Sequence, residues 1–215
     1  MGEAKRRKAW AEQFAEQIRI ADLPRVSSAL RRLATAASLQ RGGDCYVHAA
    51  LGQAILAKLG IKSDLAAGWS AWRCGSQSDC VMLHAPLPDM PSQPGAVAFH
   101  VWLVLENKYI LDFTTYSIVN KFIKLDQMDG GKTVVEWAPE YLYEPLSRMS
   151  TLGQVIQGEA GGLFYYERNE ALQEKIISAA EPLDQDDLEI AWTLYQNPDM
   201  VVFGPNDVMR SEGKV

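Results

Sequence analysis

Three residues of the sequence, Cys45, His100 and Asp112, have the side chains of a thiol-based catalytic triad. A thiol is a useful nucleophile only as its thiolate, and free cysteine at neutral pH is mostly protonated. A neighbouring imidazolium favours the thiolate and can later protonate a leaving group. A carboxylate behind the imidazole fixes its tautomer and orientation. The three residue types therefore predict nucleophilic acyl-transfer chemistry, provided that the fold brings them together.

Cys45 stands at the predicted start of a helix. Asp44 is a favourable N-cap residue, apolar residues then recur at helical spacing, and Gly60 is a natural stop. The N-terminus of a helix presents unpaired N–H groups and a positive dipole end, which favour a thiolate and can bind an oxyanion. The charge of Asp44 opposes the thiolate unless backbone N–H groups absorb that charge through capping.

His100 and Asp112 lie in the two strongest strand signals, residues 97–106 and 109–116, with Asn107-Lys108 between them. A plain two-residue turn would place His100 and Asp112 on opposite faces of the hairpin. A three-residue loop with a bulge, or a four-residue loop, would place both on one face. We predict such a longer loop. We also expect Asp112 to have a partner, since an unpaired carboxylate between two apolar neighbours is costly to bury.

Two segments carry a resemblance to known families. The run Arg41-Gly42-Gly43-Asp44-Cys45, followed by an apolar helix, resembles the RGGxC nucleophile segment of arylamine N-acetyltransferases. The stretch from His100-Val101-Trp102 through Asp112-Phe113-Thr114 is similar to the HxW…D-x-T hairpin of transglutaminase-like proteins. Both families belong to the papain-like cysteine enzyme superfamily, and the whole chain is similar to bacterial families of unknown function with this fold.

The resemblance implies a role for each residue of the triad. Cys45 would be the nucleophile, His100 the general base and acid, and Asp112 the residue that orients the imidazole. Gln40, five residues before Cys45, resembles the glutamine that completes the oxyanion hole of papain-like proteases. Asp44 and Trp102 are further candidates for substrate or oxyanion binding. Packing beside the imidazole is the favoured role of Trp102, which shares the predicted face of His100.

A zinc site is an alternative use of the soft ligands. The sequence contains Cys45-x2-His48 and Cys74-x5-Cys80-x3-His84. Structural zinc sites usually show tighter, paired cysteine spacings. We therefore expect no metal and no cofactor, and His48 could instead crowd the active site.

The remaining patterns predict helices before and after a sheet. We expect helices over 3–22, 25–38, 169–180 and 184–196, and strands over 65–73, 133–137, 163–167 and 200–203. Most of residues 74–96 should form a long surface loop. The fold class is α+β, papain/transglutaminase-like, with N-terminal helices and a central Cys helix packed on an antiparallel sheet. We expect a single domain over 1–215, made of N-terminal helices (1–38), a catalytic core (39–116) and a segment (117–215) that completes the sheet and adds C-terminal helices.

Composition narrows the class of protein and of partner. The 215 residues are 47% hydrophobic and 22% charged with a net charge of -6, which is ordinary for a globular protein and argues against nucleic acid or an anionic membrane as the main partner. No hydrophobic stretch follows the basic amino-terminal cluster, so no secretory signal is expected. Three cysteines cannot form an even disulfide framework, which favours a reducing cytoplasm.

The sequence thus predicts a thiol-dependent hydrolase of amides, esters or thioesters that works through an acyl-enzyme on a small-molecule or peptide acyl substrate. The segment Phe113-Thr114-Thr115, where acetyltransferases have glycine, favours hydrolysis over the use of acyl-coenzyme A. Two alternatives stay open: an acyl-CoA-dependent N-acyltransferase and a catalytically silent papain-like binding module.

Overall fold

The computed structural model describes residues 3–38, 44–86 and 98–207. It shows an α+β protein in which helices pack on an antiparallel sheet. The helices are α1 (Glu3–Ala21), α2 (Leu23–Ala37), α3 (Cys45–Lys58), α4 (Ile118–Asp129), α5 (Leu152–Gln157), α6 (Glu170–Ala179) and α7 (Gln185–Gln196). The strands are β1 (Asp64–Arg73), β2 (Val81–His84), β3 (His100–Leu105), β4 (Tyr109–Asp112), β5 (Leu142–Pro145) and β6 (Leu163–Arg168). Within the described ranges, no helix is both long and apolar enough to cross a membrane.

The chain divides into two compact units, one of residues 1–39, 50–63 and 183–215 and one of residues 40–49 and 64–182. The first unit contains α2 packed on α7. Arg25 and Arg32, both on α2, donate hydrogen bonds to carbonyl oxygens at and just beyond the end of α7, between residues 194 and 200. These bonds satisfy carbonyl groups that a helix end leaves without an internal partner. The assignment of a single domain stays a prediction.

The second unit is built around β1, the longest strand. One edge of β1 pairs with β6 over residues 68–73. The other edge is shared, because β3 pairs with residues 64–68 and β2 with residues 70–73. Beyond β3 the sheet continues through β4 to β5, and every pair is antiparallel. The sharing of one edge brings the end of β2 next to the start of β3.

One hydrophobic cluster fills the second unit between the sheet and α4. Helix α4 contributes Ile118 and Phe122, its two buried side chains. The strands and their flanking turns contribute the others: Ala66, Trp72, Cys74, Cys80, Met82, Trp102, Ile110, Leu142, Phe164 and Tyr166. Trp72, Trp102 and Tyr166 lie around His100, so this core also forms walls of the candidate site.

Most predicted elements are confirmed within a few residues. These are the helices over 3–22, 169–180 and 184–196, the helix starting at Cys45, and the strands over 65–73 and 163–167. The second helix begins at Leu23, before the predicted start, because Pro24 occupies its first turn, where a missing N–H costs nothing.

Other predictions of secondary structure are wrong. Most of residues 74–96 was predicted to be a loop, but four of them form β2, a strand too short for a periodic signal; residues 87–96 of that prediction lie outside the described residues. The strand predicted over 109–116 ends at Asp112, whose carboxylate accepts hydrogen bonds from Thr114 and so turns the chain. Residues 133–137 and 200–203 are irregular rather than extended strands. Helices α4 and α5 and strand β5 were not predicted.

Candidate functional site

The hairpin of β3 and β4 has the longer loop that the triad requires. Leu105 pairs with Tyr109, so three residues, 106–108, form the loop. Glu106 and Asn107 have left-handed backbone angles, with φ of 53° and 52°, and Lys108 N donates a hydrogen bond of 3.0 Å to the Leu105 carbonyl. The prediction of a longer loop is confirmed. The even register places His100 and Asp112 on the same face of the sheet.

His100 and Asp112 form a buried pair. Nε2 of His100 lies 2.7 Å from Oδ2 of Asp112, and each residue is 1% exposed. The same Oδ2 accepts a hydrogen bond of 2.7 Å from the Tyr166 hydroxyl. Oδ1 accepts two more from Thr114, 2.8 Å from its backbone N–H and 2.7 Å from its hydroxyl. The Asp112 carboxylate therefore accepts four hydrogen bonds, two on each oxygen, and these fix its position.

The protonation states follow from this arrangement. Burial would raise the pKa of Asp112, but the charge of His100 and the hydrogen bonds from His100 and Thr114 outweigh burial and hold that pKa well below its ordinary value. Burial would lower the pKa of His100, yet the Asp112 carboxylate and then the Cys45 side chain raise it above its ordinary value. Burial, followed by the charge of Asp112, raises the pKa of Tyr166 far above its ordinary value, so Tyr166 remains a donor.

Cys45 is the first residue of α3, as predicted, and is 6% exposed. Its side chain interacts with His100 through hydrogen bonding and charge. Because Asp112 occupies Nε2 of the imidazole, Nδ1 is the ring nitrogen left to face the thiol. The structure thus brings together Cys45, His100 and Asp112, the three residues of the expected triad.

Through the side chain of His48, a hydrogen bond joins the first turn of α3 to the segment that follows β4. Nδ1 of His48 lies 3.5 Å from Oδ1 of Asp44, and Nε2 of the same ring lies 3.0 Å from the Tyr116 hydroxyl. His48 is buried in these contacts. Gln40, the predicted oxyanion residue, lies outside the described residues.

Aromatic rings enclose the imidazole of His100. The Trp72 ring meets it edge-on at 5.0 Å between centroids, and the Trp102 ring stacks on it at 6.3 Å with an interplanar angle of 13°. Trp72 also donates a hydrogen bond of 2.9 Å to the Tyr166 hydroxyl. Trp102 is 3% exposed and belongs to the hydrophobic cluster, so its position is one of packing beside the imidazole.

A second histidine, His84, stacks on His100 with the centroids 5.6 Å apart. The register explains this contact. On the shared edge of β1, His84 pairs with Ser70 and His100 with Gly68, two residues away and therefore on the same face. Nζ of Lys121, on α4, lies 3.2 Å from Nε2 of His84.

The soft ligands of the zinc alternative are dispersed. Cys45 and His84 each contact His100, as described above, whereas His48 contacts Asp44 and Tyr116. Cys74 and Cys80 are free, fully buried thiols, and burial raises the pKa of Cys74 to about 12. Within the described ranges, no three metal-ligating side chains form a group that could hold an ion.

Several residues around the triad were not assigned to the site from sequence, among them Thr114, Tyr166 and Lys121. Thr114 belongs to the D-x-T motif, and an Asp followed two residues later by a hydroxyl residue is a signal for a local side-chain turn. Tyr166 occupies an inward position of a correctly predicted strand, but nothing in the sequence links it to Asp112. Lys121 lies on a helix that was not predicted.

Comparisons with known proteins give the fold and no more. No protein-family model and no curated protein matches the chain. Among solved structures, the chain is similar to a crystal structure of a genomics target, APC5867, with a TM-score of 0.59 and 18% sequence identity. The match covers 83% of this chain and 80% of that one. Likeness at this identity supports a shared α+β architecture.

Proposed function

We propose that the chain is a thiol-dependent acyl-transfer enzyme, with hydrolysis of an amide, ester or thioester as its reaction. The observation that carries the proposal is the buried His100–Asp112 pair, 2.7 Å apart, with the Cys45 thiol against the same imidazole. A buried carboxylate–imidazole pair beside a thiol at a helix N-terminus is the arrangement that activates a cysteine nucleophile.

The mechanism follows from the two nitrogens of His100. Asp112 holds Nε2–H, so Nδ1 exchanges the proton with Cys45. The Cys45 thiolate attacks the substrate carbonyl carbon, and backbone N–H groups at the start of α3 stabilise the oxyanion that forms. His100 then donates its Nδ1 proton to the leaving group as the C–N, C–O or C–S bond breaks. Water attacks the acyl-enzyme, with His100 as base, and releases the acid.

The fold of this enzyme would be papain/transglutaminase-like. Three observations support it: the chain order of Cys, His and Asp, the position of Cys45 at the start of a helix, and the placement of the other two residues on adjacent antiparallel strands. With Nε2 bonded to the carboxylate and Nδ1 facing the thiol, a single orientation of the His100 ring contacts both Asp112 and Cys45.

The test is the pH dependence of iodoacetamide alkylation at Cys45, read by mass spectrometry in the wild type and in His100→Ala. We expect a fast reaction that persists well below the pKa of ~8.5 typical of a free thiol and that is lost in His100→Ala. Cys74 provides a control within the same molecule, since burial raises its pKa to about 12. Slow alkylation with ordinary thiol pH dependence, unchanged in His100→Ala, would refute the proposal and favour a silent binding module.

A fast Cys45 then permits a screen of acyl substrates. p-Nitrophenyl esters report hydrolysis through the release of nitrophenolate. An amine acceptor added to the same assay distinguishes transfer from hydrolysis, because transfer produces an amide in place of the free acid. Release of acid without any dependence on the amine is the result we expect.

A further inference from the structure

Lys121 is a half-buried cation with an unusual partner. Its Nζ lies 3.2 Å from Nε2 of His84. Within the described residues, no carboxylate forms an ion pair with Lys121 at 4.0 Å or less, and the charges of Asp112 and Asp44 act on it from farther away. A partly desolvated ammonium that has no carboxylate in direct contact is unfavourable. A ligand that brings a negative charge close to the ammonium would stabilise it electrostatically.

His84 serves as an anchor for this lysine. Burial, together with the positive charges of Lys121 and His100, lowers the pKa of His84 to about 3. The ring is therefore neutral, and its Nε2 accepts a hydrogen bond from one of the three N–H groups of the Lys121 ammonium. The other two N–H groups of Lys121 remain able to donate hydrogen bonds to a ligand.

The same contacts place the cation beside the proposed nucleophile. The rings of His84 and His100 stack with their centroids 5.6 Å apart, and the Trp72 ring lies nearly perpendicular to both imidazoles. Lys121 also interacts electrostatically with Asp112, Cys45 and Asp44. The charge of Lys121 thus acts on the groups that would bind and attack an acyl substrate.

We propose that Lys121, anchored by His84, binds the carboxylate of an anionic acyl substrate, so that the site prefers acyl compounds with a negative charge close to the scissile carbonyl. This inference rests on the proposed function. The oxyanion has its own donors at the start of α3, which are neutral N–H groups, whereas the full charge of Lys121 matches a permanent anion.

Two alkylating reagents of nearly equal size test the inference. Iodoacetate and iodoacetamide react alike: the Cys45 sulfur forms a bond to the methylene carbon, and iodide leaves with the electron pair. The two differ in carrying a carboxylate or a neutral amide. We expect the ratio of their rate constants, iodoacetate over iodoacetamide, to fall by about tenfold in Lys121→Met. Lys124→Met, which removes an exposed lysine of the same helix, should leave the ratio unchanged.

The outcomes separate the inference from the proposed function. If Cys45 reacts fast with both reagents and Lys121→Met leaves the ratio unchanged, the inference is overturned and the proposed function stands. An equal loss of rate with both reagents also overturns it, because Lys121 would then act on the thiol and not on the anion. If wild-type Cys45 is inert to both, the proposed function fails, and the inference with it.

A second measurement uses only the wild type, so its result does not depend on whether Lys121→Met folds. Succinate should protect Cys45 from iodoacetamide, whereas succinamide at the same concentration should not. Equal effects of the two compounds would overturn the inference.

Discussion

Replacement of Asp112 by Asn tests whether the carboxylate sets the tautomer of His100. The carboxylate accepts on one oxygen from His100 and Tyr166 and on the other from Thr114. The Thr114 N–H is a fixed donor, so the Asn oxygen takes that side and its NH2 group faces His100. Nε2 must then accept a hydrogen bond, which moves the ring proton to Nδ1. A protonated Nδ1 on a neutral ring cannot take the Cys45 proton.

The size of the effect can be worked out for pH 6. Free cysteine with a pKa of ~8.5 is only about 0.3% thiolate at that pH. Without a partner that accepts its proton, Cys45 should react like such a thiol. A wild-type Cys45 held as the thiolate by His100 would have a thiolate fraction about 300-fold larger, and because an activated thiolate is intrinsically less nucleophilic, we expect the alkylation rate in Asp112→Asn to fall by about 100-fold. Stability should fall by about 2–3 kcal/mol, because the charge-assisted hydrogen bonds that Oδ2 accepts from His100 and Tyr166 are replaced by neutral hydrogen bonds that the Asn NH2 group donates.

The assay compares iodoacetamide alkylation of Cys45 at pH 6 with urea unfolding of the same samples. Leu111→Ala is the matched control: it removes a fully buried side chain from the same strand, at a cost of about 2–5 kcal/mol, without touching His100. It should keep the alkylation rate. Tyr166→Phe removes one of the two donors on Oδ2 and should give a smaller loss of stability with most of the reactivity kept. An unchanged alkylation rate in folded Asp112→Asn would refute the reasoning.

Two further predictions concern stability. Gly68→Ala should destabilise the fold by about 1–3 kcal/mol, because a Cβ at residue 68 would meet Asn169 N at 2.8 Å and the Glu167 carbonyl even closer. Gly153→Ala is the control: a Cβ there meets nothing within 4 Å and the residue lies in α5, so the free energy of unfolding should stay the same or rise by up to about 1 kcal/mol in the same urea titration. His84, with its pKa lowered by burial to about 3, takes up its proton in the unfolded chain near pH 6.5, so stability should decline as pH falls from 6.5 towards 3, by at most about 1.4 kcal/mol per pH unit. Urea midpoints across that range should show a flatter profile in His84→Gln, and an equally steep profile would contradict the assigned burial of a neutral ring.

The central part of the site could be predicted from sequence because its residues follow local rules. Cys45 follows Asp44, a favourable N-cap residue, and precedes apolar residues at helical spacing, so its position at the start of a helix could be predicted. His100 and Asp112 lie in one hairpin, where the choice of loop length decides the shared face. Each of these two placements depends on a short stretch of sequence, over which propensity and periodicity act. The contact of Cys45 with His100 is not local and was expected only from the family resemblance.

The residues that escaped prediction depend on long-range pairing. Tyr166 reaches Asp112 across 54 positions of sequence, and Lys121 reaches His84 across 37. Strand β2 is four residues long and becomes a strand by pairing with β1. No local pattern encodes these contacts, because they arise from the packing of separate elements.

Register along β1 is what assembles the site. Strands β3 and β2 meet end to end on one edge of β1, and Gly68 and Ser70, two residues apart, set the positions of His100 and His84. Because side chains alternate between faces, a slip of one residue in either pairing would turn one imidazole to the opposite face of the sheet. On the opposite edge of β1, the close approach of β6 at Gly68 fixes the register of β1 against β6, since any larger residue there would collide with residues 167–169. Gly68 thus holds β1, the strand on which both imidazoles are positioned, although it carries no chemistry of its own.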